Sequence, residues 1–306
     1  MAGDLHRQIM NGSGSRPRLW LHGLLLLATF YTTTLCGALA EVSAADLESA
    51  RAPLLNPRLL LLGLPYSLCL LAILGVHELG HYVACRRYGV DASLPYFLPS
   101  LPFPIGTFGA FIRIRAPIPD RKALFDIGVA GPIAGFLVAI PVLLYGVMTT
   151  RPVPIPDADA IPMDLPLLMS WLFSWLAPDV AEGHAVMISG PLMAGWVGCL
   201  ATAINLIPIG QLDGGHLCYA LSSRFHRAAS WISLVGFVAL GLLAYSGWLF
   251  LATLLIVFGP THPPVQDSSI RLSTGRILVA AAAFIILIIC FIPRPFSFDQ
   301  LQTSSP

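Results

Sequence analysis

The stretch "LLLLGLPYSLCLLAILGVHELGHYVACRRYG" covers residues 59–89. Its first half is oily enough to enter a bilayer, where a spanning helix needs roughly 20 apolar residues. Its second half carries His77, Glu78 and His81, then Arg86 and Arg87. Ionisable side chains at bilayer depth are expensive, so they mark a function rather than filler. His77 and His81 are four apart. On a helix that spacing puts both imidazoles on one face, one turn apart, where they can share an ion. Glu78 sits beside the first of them, within reach of a water on that ion. This is the HExxH arrangement of two zinc ligands and a general base. A chance match on an amphipathic helix would explain the same spacing in a soluble chain. Here the helix is apolar for about five turns upstream, and an idle glutamate would be costly.

The rest of the composition fits a membrane setting. Of 306 residues, 56% are hydrophobic and 11% charged, against roughly a quarter charged in soluble domains. The expected fold is an all-α polytopic membrane protein with about six to seven transmembrane helices. The candidate spans are 19–40, 58–85, 123–148, 185–208, 229–258 and 276–292. The 229–258 block is too long for one untilted span, and "AYSGW" (244–248) suggests two shorter helices. "LPLLMSWLFSW" (165–175) is too short to span and suits the interface. The formal charge of +1 and the lack of a basic stripe argue against a nucleic-acid partner. The six cysteines form no CxxC pair and read as small packing residues.

Charge placement sets an orientation. Arg7, Arg16 and Arg18 put the N-terminus in the cytoplasm. Glu41, Asp46 and Glu48 mark the outside. Arg86, Arg87, Arg113, Arg115, Arg121 and Lys122 bring the chain back in. The acidic 151–183 loop faces out, and Arg224, Arg227, Arg271 and Arg276 lie inside again. "GALAEV" (37–42) has the small-residue pattern of a signal-peptidase site, but its apolar run is longer than a usual signal core, so the first span is expected to stay. "RPVPIPDADAIP" (151–162) reads as an extended linker. "PYFLPSLPFPIGTFGAFIRIRAPIP" (95–119), with six prolines, is too apolar for an ordinary loop and too broken for a helix. A membrane-associated β-hairpin near 103–115 fits, and such backbone survives at depth only against protein or a wet cavity. The chain then divides into 1–56 (tail, first span and outer loop), a 57–265 core, and 266–306 (last span and tail).

A catalytic zinc usually takes three protein ligands and keeps one position open. "NLIPIGQLDGGH" (205–216) offers Asp213, the lone acidic residue between Glu182 and Asp267. A helix-capping aspartate would look the same. With two histidines short of a partner, Asp213 is the favoured third ligand. His216, three residues on, and Cys85, one turn past His81, are rivals; a Cys85 thiolate would make the site closed and structural. The other histidines, His6, His22, His184, His226 and His262, look scattered and ordinary. From the middle of the ligand pair to Arg86 is about 7 residues, or roughly 10 Å of helix. The ion is thus expected about 10 Å inside the cytoplasmic face.

HELGH (77–81), "AGPIAG" (130–135) and "NLIPIGQLDGG" (205–215), in this order on membrane spans, resemble the site-2 proteases, a family of intramembrane zinc metalloproteases. "IGTFGAFIRIRAPIPDRKALFDIGVAGPIAG" (105–135) and "HPP" (262–264) resemble its plastid and bacterial branch, typified by the ethylene-dependent gravitropism-deficient and yellow-green proteases. The resemblance implies one Zn²⁺ per chain held by His77, His81 and Asp213, with Glu78 activating the water. It implies a membrane-spanning protein substrate cut within the cell membrane near the cytoplasmic face, in regulated intramembrane proteolysis. It also implies substrate contacts from Asn205 and from the β-loop residues Gly106, Phe108 and Gly109. Asn205 could instead make an interhelical hydrogen bond. Gly131, Pro132 and Gly135 fit close helix packing better than chemistry. The outer loop of about 35 residues is too short for a PDZ or CBS module. Two other classes would use similar residues: a metal-containing membrane transporter, and a catalytically silent homologue acting as a binding protein. The first leaves Glu78 beside the first histidine unexplained. The second would normally show a lost ligand or base.

Overall fold

The computed structural model describes residues 18–41, 57–101, 105–154, 163–177 and 184–296. The expectations for the N-terminal tail, for 42–56 and for most of the proline-rich linker lie outside them. The described chain is mostly helical. In order it runs α1 (Leu19–Glu41), α2 (Pro57–Leu62), α3 (Leu64–Arg87), β1 (Tyr96–Pro99), β2 (Thr107–Phe111) and α4 (Arg121–Met148). After these come β3 (Pro152–Pro154), α5 (Leu167–Leu176), β4 (His184–Val186), α6 (Gly190–Leu206) and α7 (Asp213–Leu221). The chain closes with α8 (Ser223–Leu243), α9 (Gly247–Phe258) and α10 (Thr274–Cys290).

Among the described residues four helices, α1, α3, α4 and α8, are long and apolar enough to cross a membrane. The stretches expected at 185–208 and 276–292 form the shorter apolar helices α6 and α10. The long 229–258 block does break in two, at Ala244–Ser246 between α8 and α9. The 165–175 patch is the ten-residue helix α5. The 58–85 stretch is interrupted at Gly63, between α2 and α3. There α1 crosses so closely that a Cβ on Gly37 would come within 2.8 Å of the Tyr66 Cβ and 2.9 Å of the Gly63 carbonyl oxygen. A small residue at each crossing position lets the backbones meet.

The core is the packed trio α3, α4 and α6, with α7 closing against α4. One stripe of α3 supplies Tyr66, Leu70 and Leu74, which meet Leu143 and Val147 of α4 and Leu192 and Trp196 of α6. The same stripe continues through His77 and His81 at spacings of three and four. The histidines therefore enter the protein interior for the reason the leucines do: they occupy the buried face of the helix.

The β-hairpin is present, but it begins earlier than 103. β1 pairs antiparallel with β2, Tyr96 opposite Phe111 and Leu98 opposite Gly109. Bracketing prolines at 95 and 99 hide β1 in the sequence, because they remove amide donors from a run that still pairs along one edge. The hairpin is pinned to its neighbours. Thr32 Oγ1 of α1 donates to the Gly106 carbonyl at 2.6 Å, and the Tyr66 hydroxyl of α3 donates to the Ile105 carbonyl at 2.8 Å. A second small ladder, β3 with β4, joins the segments flanking α5; nothing in the sequence pattern announces it.

Candidate metal centre

His77, Glu78 and His81 are buried, at 5, 6 and 7% exposure. They stay there because α4 presents glycine to them. A Cβ on Gly131 would overlap the His81 imidazole, and one on Gly135 would sit 3.0 Å from the His77 Cβ. Pro132, between them, cannot donate to the carbonyl one turn back. Nearby, the Ile127 carbonyl takes a hydrogen bond from His81 Nδ1 at 2.7 Å. That bond fixes the tautomer and leaves the His81 Nε2 lone pair facing inward.

Asp213 arrives from the other side. Helix α6 ends at Leu206, Pro208 follows, and Gly210 turns the chain at φ +53°. The turn is clamped from α8, where His226 Nε2 donates to the Gly210 carbonyl at 3.0 Å and Ser230 Oγ donates to the Pro208 carbonyl at 3.2 Å. Gly214 lets α7 start against the Leu206 carbonyl, which a Cβ there would strike. Asp213 thus opens α7 with its carboxylate aimed at the histidines.

Three atoms converge. His77 Nε2 and His81 Nε2 are 3.2 Å apart, and Asp213 Oδ2 is 3.2 Å from the first and 3.3 Å from the second. A tetrahedral ion with bonds of about 2.0–2.1 Å has ligand–ligand edges of about 3.3–3.4 Å. The observed triangle matches that edge on all three sides. Without an ion, the two imidazoles would each have to carry a proton on Nε2 and donate to the one carboxylate oxygen. The donor set therefore fits a divalent zinc-type ion. Glu78 stands back from the triangle, its Oε1 3.9 Å from His77 Nε2, as suits a group that reaches a water rather than the ion. Cys85 is buried with Val90, Ala92 and Ile127, in a separate cluster.

Two cavities meet at this point. One, about 200 Å³, is lined by the three converging residues, Glu78, Asn205, His216 and the end of β2. The other, about 310 Å³, is bounded by Leu74, Val197, Leu200, Ile204 and the β2 residues Thr107–Ala110. His77, Glu78, Ala110 and Asn205 line both. The Asn205 amide lies 3.4 Å from His77 Nε2. Phe108 and Gly109 border the apolar cavity, with Phe108 67% exposed and Gly109 at φ +99°. Gly106 does not border either cavity. It packs on α1, where a Cβ would come within 2.7 Å of the Thr32 carbonyl.

Two of the scattered histidines, His226 and His262, gather with the rival ligand His216. His216 Nδ1 meets His262 Nε2 at 2.6 Å, Tyr219 stacks on His262 at 4.3 Å, and His226 lies edge-on beside both. The HPP stretch was the available signal, since it placed a histidine just where the chain leaves α9.

Residues 65–243 match the family described as Peptidase family M50. The protein named Probable zinc metalloprotease EGY2, chloroplastic, of Arabidopsis thaliana is 32% identical over 256 residues, 79% of this chain and 44% of the relative. Probable zinc metalloprotease EGY1, chloroplastic, of the same plant is 33% identical over 240 residues, covering 75% and 43%. Its namesake in Oryza sativa subsp. japonica is 30% identical over 293 residues, covering 88% and 49%. The chain spans about half the length of the curated relatives it matches. The matched segment holds the histidine pair, the α4 glycines and Asp213 alike, and this chain belongs to peptidase family M50, the site-2 protease family.

Proposed function

We propose that the protein is a zinc-dependent intramembrane endopeptidase that cuts membrane-spanning protein substrates in regulated intramembrane proteolysis. The observation that carries the reading is the His77–His81–Asp213 triangle, of tetrahedral edge, with Glu78 held just outside it where two cavities join. Zinc bound there would polarise the scissile carbonyl and bring the pKa of a water toward neutrality. The chain's own residues do the rest. Glu78 takes the proton from the attacking water and returns it to the leaving nitrogen, as a base placed within one water of the reacting atom can. The Asn205 amide, bordering both cavities, steadies the substrate backbone. A helical substrate has its carbonyls locked, so it must unwind first. The edge of β2 not taken by β1 captures the unwound segment by strand addition, with Phe108 and Gly109 alongside and Gly106 setting the turn. The apolar cavity takes one substrate side chain, and the smaller cavity admits water.

In this reading the chain spans the membrane six to seven times. The 57–265 segment is the protease core, 1–56 holds the first span and its loop, and 266–306 holds the last span. Arg86 and Arg87 mark the near face, so the reaction lies about 10 Å below it. That face is cytoplasmic in a cell membrane, with the N-terminus on the same side. If the membrane is a plastid's, as the relatives' names suggest, it is stromal.

The test is a comparison of membranes carrying the native protein with membranes carrying Glu78→Gln. Zinc content should be equal, and fragments ending inside a transmembrane segment should occur only with the native protein. Identical fragment sets would end the proposal.

A further inference from the structure

A cavity of about 890 Å³ lies on the opposite side of α3 from the metal centre. It is a groove walled by α3, α4 and the first turns of α10. Over most of its length it is apolar, with Leu79, Val83, Val129 and Val279 along it. Leu79 and Val83 are 45 and 51% exposed there. At one end the lining turns polar, with Arg87 and Arg276.

The polar end has a charge preference. Asp126 is its one carboxylate, and its charge is already paired. Arg276 Nε and Nη2 donate to its two oxygens at 2.8 and 2.7 Å, and the Tyr88 hydroxyl donates to Oδ2 at 2.5 Å. That pair cancels, and Arg87 remains as an extra positive charge with its fork of donors. A zwitterionic headgroup would bring a cation to this end and meet a carboxylate whose charge Arg276 already neutralises. The length also fits. Arg87 lies about 7 residues beyond Gly80, or roughly 10 Å of helix, so the groove runs from headgroup level to the depth of the histidines.

We propose that this groove binds one anionic phospholipid, its phosphate at Arg87 and an acyl chain along Leu79, Val83 and Val279. The site needs α3 and α4 to lie in a bilayer and does not depend on peptide-bond cleavage. It has a structural consequence. Gly80 faces α4 so closely that a Cβ there would come within 2.6 Å of the Ala130 carbonyl oxygen. The lipid therefore backs the α3–α4 contact whose other face carries His77 and His81.

The zinc-loaded protein in detergent, offered equal phosphatidylglycerol and phosphatidylcholine of the same acyl length, should retain phosphatidylglycerol about fivefold better by native mass spectrometry. That is the factor one arginine contributes toward an anionic headgroup. Arg87→Gln should bring the two lipids to parity. Arg86→Gln, one position away and outside the groove, should keep the preference. Val83→Trp, filling the groove from an exposed position, should reduce both lipids alike. Parity in the native protein, or a preference that survives Arg87→Gln, overturns the proposal. So does displacement of phosphatidylglycerol by inorganic phosphate alone, which would make this a phosphate site without an acyl chain. A Val83→Trp protein that loses dimer mass rather than lipid would assign the groove to a second copy, and the proposal would fall.

Discussion

Two histidine groups sit on either side of the first turn of α7, and they are built differently. In one, His77, His81 and Asp213 bring two ring nitrogens and a carboxylate oxygen to mutual distances of 3.2–3.3 Å. In the other, the contacts are ordinary hydrogen bonds and ring packing. His262 Nδ1 donates to the Pro263 carbonyl at 2.6 Å, which leaves its Nε2 to accept from His216 Nδ1. His226 spends its Nε2–H on the Gly210 carbonyl. Among the described residues no carboxylate is hydrogen-bonded or ion-paired to this second group. Proximity of imidazoles is therefore not the signature of a metal site. What distinguishes the first group is a carboxylate oxygen set within 3.3 Å of two ring nitrogens at tetrahedral edge length, a donor set of the zinc type that also supplies charge. The second group holds the 207–212 turn and the start of α7, and so aims the carboxylate that completes the first.

The largest effect should come from exchanging the roles of the two groups. Asp213→Ala should empty the site and abolish cleavage, because one of three ligands and its charge are gone. His216→Ala should leave zinc at one per chain, measured by metal analysis of purified protein. The reverse pattern would make His216 the ligand and Asp213 the cap. Glu78→Gln should keep zinc but lower turnover by about 10²–10⁴, the range for losing a positioned general base. A smaller effect tests the packing behind the ligands. Gly131→Ala puts a methyl where the His81 ring lies. Displacing an oriented ligand typically weakens a metal site about 10–100-fold, so a competitive chelator titration should show that loss. An unchanged affinity would mean that α4 yields and that glycine there is not what seats the ring.

Much of the first group was legible in the sequence, and little of the second. His77, Glu78 and His81 share one helix turn in an oily span, so helical spacing and the cost of burying charge are enough to find them. Asp213 stood out because it is alone over a long apolar stretch. The glycines of "AGPIAG" announced close packing, but not that the methyls they lack would fall on His81 and His77; that depends on the register of α4 against α3, which no local pattern fixes. His216 stood out only as a rival ligand, and its grouping with His226 and His262 escaped because the three lie on separate segments, brought together only by the return of the chain after α9. β1 escaped because prolines at 95 and 99 mask a strand that needs pairing on one edge only. The breaks at Gly63 and at Ala244–Ser246 differ in the same way. The second shows as a polar interruption of an apolar run, whereas the first is set by where α1 crosses.

The smallest effect, and the one that best separates the two groups, is in pH. His262 lies outside the spans, in the segment after α9. Burial, with His226 adding to it, pushes its imidazole down to about 4 despite the hydrogen bond to the Pro263 carbonyl. The folded value is thus below the ordinary one of about 6.5. Between those two values the unfolded chain binds the proton that the folded chain refuses, so stability falls as pH falls from about 6.5 toward about 4. Zinc loss also destabilises the protein at low pH, because ligand histidines must be deprotonated to bind, and it acts on native and mutant proteins alike. The difference between the melting temperatures of native protein and His262→Gln therefore isolates the second group. The native protein should lose a few degrees more than the variant on going from pH 7 to pH 5. Parallel losses would mean that His262 takes up its proton on folding as readily as in the unfolded chain, and the hydrogen-bonded reading of the His216–His262 pair would be wrong.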